Sequence, residues 1–209
     1  SPMAGQGSPM RGIVEVMEEV ERAIQSENPT VNLQLLARAC HFGAQFVTSF
    51  GIAFKLAAIE VENKANDMKK AYEDYNTVEV MLDREIANGL ARENSSHSRF
   101  HLRMKRAGDL LRVFFQEILA REGDSLVPPL KKAYDEVFGA YHGETNKKVA
   151  DFAMRDMIDK SDLFKLIDDD ENAAREMMKR YISASACVCQ HIEQLYRATK
   201  VGDELLRMI

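Results

Sequence analysis

Through long segments of this chain apolar residues recur at three- and four-residue intervals, a helical period and not the alternation of a half-buried strand. The pattern predicts helices over residues 12–25, 33–63, 75–91, 98–121, 126–138, 145–158, 161–168 and 172–197. The first stops at the turn Ser26-Glu27-Asn28-Pro29, and Gly123-Asp124 closes the fourth. Asp169, Asp170 and Glu171 supply negative charge to the start of the last helix, where it complements the helix dipole. Within 33–63, Phe46, Phe50, Ala53, Ala57 and Glu60 step along one face, and Gly51 is expected to bend the helix without ending it. No period of 20 to 50 residues repeats, which excludes a solenoid. The expected class is all-α, a two-layer helical sandwich.

Two stretches, 39–59 and 110–119, are apolar over much of their circumference, the mark of helices buried between layers. Such a core is either closed or held open for an apolar ligand, and flexible Met and planar Phe side chains suit the second. Phe50, Ala53, Phe54 and Ala57 from one stretch and Leu110, Phe114 and Ile118 from the other are the candidate pocket residues. Periodicity leaves both possibilities open.

Charge changes the picture at the start of the 98–121 helix. Arg99 and Arg103 are i,i+4 neighbours and continue into the stripe Ala107, Leu111, so two cations end an apolar face. Like charges at that spacing destabilise a helix by roughly 0.2 to 0.5 kcal/mol, and a cation against apolar surface costs more unless an anion meets it. Glu60 and Lys64, an acid four residues before a base, also end an apolar stripe. Spacing alone is equally consistent with a surface bridge worth about 0.3 to 0.5 kcal/mol. Together the two helices suggest one polar mouth, where a carboxylate accepts hydrogen bonds and the cations hold an anion with a greasy tail.

Composition narrows the function classes. The 209 residues are 45% hydrophobic and 29% charged, enough for a real core, and the net charge of −5 argues against nucleic-acid binding. Cys40, Cys187 and Cys189 lack paired zinc-site spacing and are expected to be reduced thiols in the cytoplasm. No run of about 18 apolar residues spans a bilayer, and no signal-peptide pattern opens the chain. Residues 1–10, with a repeated Ser-Pro-Met, are expected to be a flexible lead or expression remnant before a single domain over 11–209. His97 and His101 have i,i+4 metal spacing without a third ligand nearby, so no metal is expected. No nucleophile elbow or glycine-rich phosphate loop appears, and no enzyme is expected; a phospholipid hydrolase using His97, His101 and the Asp168 region is the enzymatic alternative.

The order of several short motifs is specific. Gly51-Ile52-Ala53-Phe54-Lys55 precedes Glu60 and Lys64; then come Ser96-His97-Ser98-Arg99, Arg103-Met104-Lys105-Arg106, Val137-Phe138 and Tyr141-His142-Gly143. In these the chain resembles the glycolipid transfer protein family, and most its plant accelerated-cell-death-like branch of ceramide-1-phosphate transfer proteins. That family is an all-α two-layer sandwich with lipid chains between the layers and the head group in a surface recognition centre. Arg103 stands where glycolipid-binding members carry a sugar-stacking Trp. The resemblance implies that Arg99, Arg103 and Lys64 contact the phosphate, while His142 meets the ceramide amide carbonyl. Glu60 occupies the place of a family Asp that accepts from the amide N–H and hydroxyl, one methylene longer. Glu144 follows His142-Gly143 where the family has a membrane-contacting Trp, and this chain has no Trp at all. Membrane engagement is therefore expected to be weaker or placed elsewhere, with Lys147 and Lys148 or other apolar residues compensating.

The function so implied is intermembrane transfer of a phosphorylated sphingolipid, ceramide 1-phosphate, by a cytoplasmic monomer that touches membranes transiently at their periphery, needs no cofactor and binds no nucleic acid. A non-shuttling lipid sensor or scaffold with the same site is the alternative.

Overall fold

The computed structural model describes residues 7–209, and among them the chain is helical throughout, with one isolated bridge between Asn32 and Thr77. Ten helices follow in order: α1 (Pro9–Ile24), α2 (Leu33–Thr48), α3 (Phe54–Tyr75), α4 (Val78–Ala87), α5 (His97–Ala120), α6 (Val127–Phe138), α7 (Glu144–Met154), α8 (Lys160–Ile167), α9 (Glu171–Arg197) and α10 (Gly202–Arg207). Helix α1 packs on α2 and α9, α2 on α3, and α5 lies against α3, α6 and α9. This is a two-layer helical sandwich whose core includes Phe46, Phe114, Phe115, Met178 and Tyr196.

Local chemistry sets the helix starts. Ser8 caps α1 by accepting from the Arg11 N–H, and Pro9 occupies a first-turn position whose N–H is not needed. Asn32, Thr77, Ser96, Asp159 and Asp170 cap α2, α4, α5, α8 and α9 in the same manner. Six residues of the expected lead lie outside the described residues. Its last three do not continue it: Ser8 is a cap and Met10 is fully buried in the core, because α1 begins one turn earlier than its apolar period alone suggests.

The expected long helix over 33–63 is two helices. Gly51 adopts φ +144°, a conformation other residues rarely adopt, and a Cβ there would stand 3.0 Å from the Asp156 carbonyl oxygen. The Ile158 N–H donates to the Phe50 carbonyl at 3.0 Å, so the link from α7 to α8 occupies the break between α2 and α3. Helix α3 then runs on to Tyr75, stopped by Asn76 at φ 62°. Lys64 consequently lies in mid-helix and not at a helix end, and the next helix starts at Val78, three residues later than expected.

At the head of α5 the Glu85 carboxylate, 3% exposed, accepts from the His97 N–H at 3.1 Å, the Ser98 N–H at 2.7 Å and the Ser98 hydroxyl at 2.6 Å. A full negative charge thus satisfies first-turn donors where the helix dipole is positive. One turn on, His101 stacks on Tyr196 with ring centroids 5.8 Å apart, and its Nδ1 lies 2.8 Å from the Tyr196 hydroxyl. That hydroxyl donates to the Ser98 carbonyl at 2.6 Å.

Two outcomes are expected from these buried groups. Glu85→Ala, which strands donors at the α5 terminus, lowers the unfolding free energy by about 2 to 4 kcal/mol in urea titration, whereas Asp83→Ala on the exposed face of α4 changes it by less than about 0.5 kcal/mol. Burial pushes the His101 pKa down from 6.5 to about 4, with Lys105 adding to the effect. The unfolded chain therefore binds a proton that the fold refuses: stability is fully present above pH 6.5 and is lost as pH falls from there towards about 4. Denaturation midpoints between pH 7 and pH 4 should fall less steeply in His101→Gln than in the parent chain.

Candidate functional site

Arg99, Arg103 and Arg106 follow one another at i, i+4 and i+7 along one face of α5. Arg99, 9% exposed, donates to the carbonyls of Arg92 and Ile209. Arg103 donates to the Asn94 carbonyl at 3.1 Å, to the Asn94 side-chain oxygen at 2.7 Å and to the Ile209 carbonyl at 3.2 Å. Arg106, 4% exposed, donates to the Leu206 carbonyl at 2.9 Å and lies over the Tyr141 ring, 4.0 Å from its centroid. None of the three is within ion-pair distance of a carboxylate side chain among the described residues. Main-chain oxygens and the Asn94 side chain satisfy their hydrogen bonds, and no acidic side chain among the described residues pairs with their charge.

Lys64 adds to this cluster from α3. Its ammonium lies 3.7 Å from Glu60, whose side chain is 70% exposed against 16% for the lysine. Burial lowers the Lys64 pKa, Glu60 pulls it back up, and Arg103 lowers it further. Burial likewise lowers the pKa of Arg103, helped by the neighbouring charges of Arg99 and Arg106. Mutual repulsion of this kind is the electrostatic signature of an anion site.

His142 occupies the connection from α6 to α7, stacked on Phe138 at 4.8 Å and 21° and hydrogen-bonded through Nδ1 to the Tyr134 hydroxyl. Burial lowers its pKa and the Arg106 charge adds to this, so the ring is neutral at pH 7. Arg106 therefore links His142 to the other cations.

Next to the cluster lies an apolar cavity of about 310 Å³, at the lower end of the volumes of about 300 to 1,000 Å³ typical of ligand pockets. Val61 and Met68 line it on either side of Lys64 in α3, and Met104 and Ala107 line it just beyond Arg103 in α5. Of the expected pocket residues, Phe50, Phe54, Ala57, Leu110 and Phe114 line this cavity. Ala53 and Ile118 do not. The break at Gly51 takes Ala53 out of helical register with Phe50, and Ile118, 1% exposed, is closed into the core one turn beyond Phe114. The core is thus held open over part of its length and closed over the rest.

Sequence reading missed Arg106 as a member of the site, although its position seven residues after Arg99 was a visible sign. It also missed Asn94, in the loop just before α5, and the main-chain oxygens of Leu206 and Ile209, which approach α5 from far along the chain and leave no local pattern. Lys105, from the same basic run, turns instead to Asp109 at 2.8 Å and Glu193 at 3.7 Å. His97 and His101 face different partners, Asp67 at 2.8 Å and Tyr196 at 2.8 Å, so their spacing does not make a metal pair. Cys189 is buried, its thiol pushed up to about 12, and Cys40 is buried with its thiol pushed up as well.

The solved structures most similar in fold include a mutant of Arabidopsis thaliana Accelerated cell death 11 complexed with C12 ceramide-1-phosphate, with a TM-score of 0.89, 31% identity and coverage of 93% of this chain and 98% of that one. Human ceramide-1-phosphate transfer protein in complex with 12:0 ceramide-1-phosphate shares the fold at a TM-score of 0.80 and 19% identity, over 94% of this chain and 98% of that one. In sequence, Accelerated cell death 11 is 31% identical over 195 residues, 93% of this chain and 95% of its own length. The Glycolipid transfer protein (GLTP) family model matches residues 31–169, two thirds of the chain. With cations gathered beside an apolar cavity between helical layers, and with these likenesses over almost its whole length, the chain belongs to the glycolipid transfer protein family.

Proposed function

We propose that this protein carries ceramide 1-phosphate between membranes. The observation that carries the reading is the cluster of Arg99, Arg103 and Arg106, paired with no acidic side chain among the described residues, beside Lys64 and next to an apolar cavity. A phosphomonoester brings about −1.5 to −2 charges at pH 7, and planar guanidinium groups meet its oxygens in pairs. On binding, the phosphate takes the place of the Ile209 oxygen on Arg99 and Arg103. Glu60 accepts from the amide N–H and hydroxyl of the ceramide, and neutral His142 serves its amide carbonyl. The chains enter the cavity, each CH₂ contributing about 0.8 kcal/mol relative to water. A bilayer offers the chains the same gain, so the head-group site supplies the net preference and no bond need be broken.

Shuttling also requires a place to touch the membrane, and Glu144 provides none. Ile52, Leu56 and Ile59 are 82%, 74% and 55% exposed at the start of α3, and Val149 and Phe152 on α7 are each 63% exposed. The bond from the Ile158 N–H to the Phe50 carbonyl ties the chain after α7 to the chain before α3, and Lys55, Lys147, Lys148 and Arg155 accompany these segments in sequence. Exposed apolar side chains with basic residues near them in sequence fit a lipid surface. They adjoin Phe50, Phe54 and Ala57 of the cavity wall, so chains can pass from bilayer to pocket without crossing water. Among the described residues no helix is long and apolar enough to cross a membrane.

Arg103→Glu should reduce ceramide 1-phosphate transfer between vesicles at least about 10-fold while leaving the thermal midpoint within a few degrees; unchanged transfer would remove the phosphate assignment. Leu56→Asp and Phe152→Asp should slow vesicle-to-vesicle transfer several-fold yet leave equilibrium binding of a short-chain ceramide 1-phosphate intact, since they act on docking and not on the head-group site.

A further inference from the structure

His101 is 2% exposed and lines the cavity, which is otherwise almost wholly apolar. Its tautomer follows from its neighbours. The single hydroxyl proton of Tyr196 goes to the Ser98 carbonyl at 2.6 Å, so the Tyr196 oxygen is left to accept, and His101 Nδ1 at 2.8 Å is the donor. Nε2 then carries a lone pair, and the hydrogen bonding of His101 within the described residues runs through Nδ1. Lys105, the polar neighbour on the same stretch of wall, is held by Asp109 at 2.8 Å and Glu193 at 3.7 Å. The remaining lining is mostly apolar, Met68, Met104 and Ile192 among it; the Tyr181 hydroxyl on that wall spends its proton on the Gly108 carbonyl at 2.8 Å, and His101 supplies a fixed ring-nitrogen acceptor.

We propose that His101 is a specificity-determining residue, accepting a hydrogen bond from a hydroxyl carried on the buried part of a lipid chain. An acceptor with no partner in apolar surroundings disfavours a plain hydrocarbon and favours one that brings a donor. The ring is rigidly set for this, stacked on Tyr196 and bonded to it. It lies on the face of α5 towards α9, away from the arginines, so the interaction is with the chain and not with the head group. This inference rests on the lipid-transfer reading and specifies the ligand class within it: sphingolipid phosphates with a hydroxylated chain.

The test is competitive vesicle transfer of ceramide 1-phosphates differing only by one hydroxyl, placed on the acyl chain or on the sphingoid chain beyond the head group. The full chain should prefer at least one hydroxylated lipid by about 3- to 10-fold, the net worth of one hydrogen bond, and His101→Leu should lose that preference while still moving the plain lipid. Equal transfer of all lipids by the full chain overturns the role of His101 and leaves the transfer function standing. Transfer of none overturns both. If His101→Leu does not fold, Tyr196→Phe, which frees the ring from its fixed tautomer, should weaken the preference, and an unaltered preference in that variant counts against the proposal.

Discussion

The buried Glu85 carboxylate holds the head of α5, and much of the site depends on that one helix being fixed in rotation. Helix α5 presents two different surfaces: arginines towards the C-terminal segment, and a cavity wall of apolar residues with His101 at its α9 side. A rotation of α5 by one residue position would carry a guanidinium into the cavity and a phenylalanine out of it. Three hydrogen bonds to a carboxylate at the positive end of the helix dipole make such slippage expensive. Glu85 itself belongs to α4, so the anchor of the arginine-bearing helix comes from a neighbouring element.

Exchange, more than tight binding, is what the cation cluster is suited to. Each guanidinium keeps its hydrogen bonds through main-chain oxygens and the Asn94 side chain, so its donors are not stranded. No acidic side chain among the described residues pairs with it, which leaves an electrostatic gain for an arriving phosphate. Between those limits a ligand can be taken up and given back.

How much of this could be read from the chain varied with the range of the interaction. Helical class, most helix starts and the arginine face of α5 depend on neighbours within one or two turns, and the apolar period and the capping residues expose them. The break at Gly51 did not show as a break, because it is made by the α7–α8 link, more than a hundred residues away, occupying the space beside a glycine. The error propagated: with one continuous helix assumed, Ala53 was assigned to the pocket face and Lys64 to a helix end. Arg106 and the carbonyls of Leu206 and Ile209 escaped notice for a related reason, since α10 is short and its packing on α5 is long-range. The small exposed patch at Ile52, Leu56 and Phe152 was equally illegible, because apolar residues in a helical period look the same whether they face a core or a solvent.

The backbone bond between Ile158 and Phe50 has a mechanical side. Phe50 and Phe54 flank a short connection that also carries Ile52, and Leu56 follows within the next turn. Any force applied to the exposed apolar side chains is transmitted through at most a few peptide units to the aromatic wall of the cavity, with the α7–α8 link as the fulcrum. Docking and opening are in that sense one lever, with its handle outside the protein and its short arm in the lipid's path.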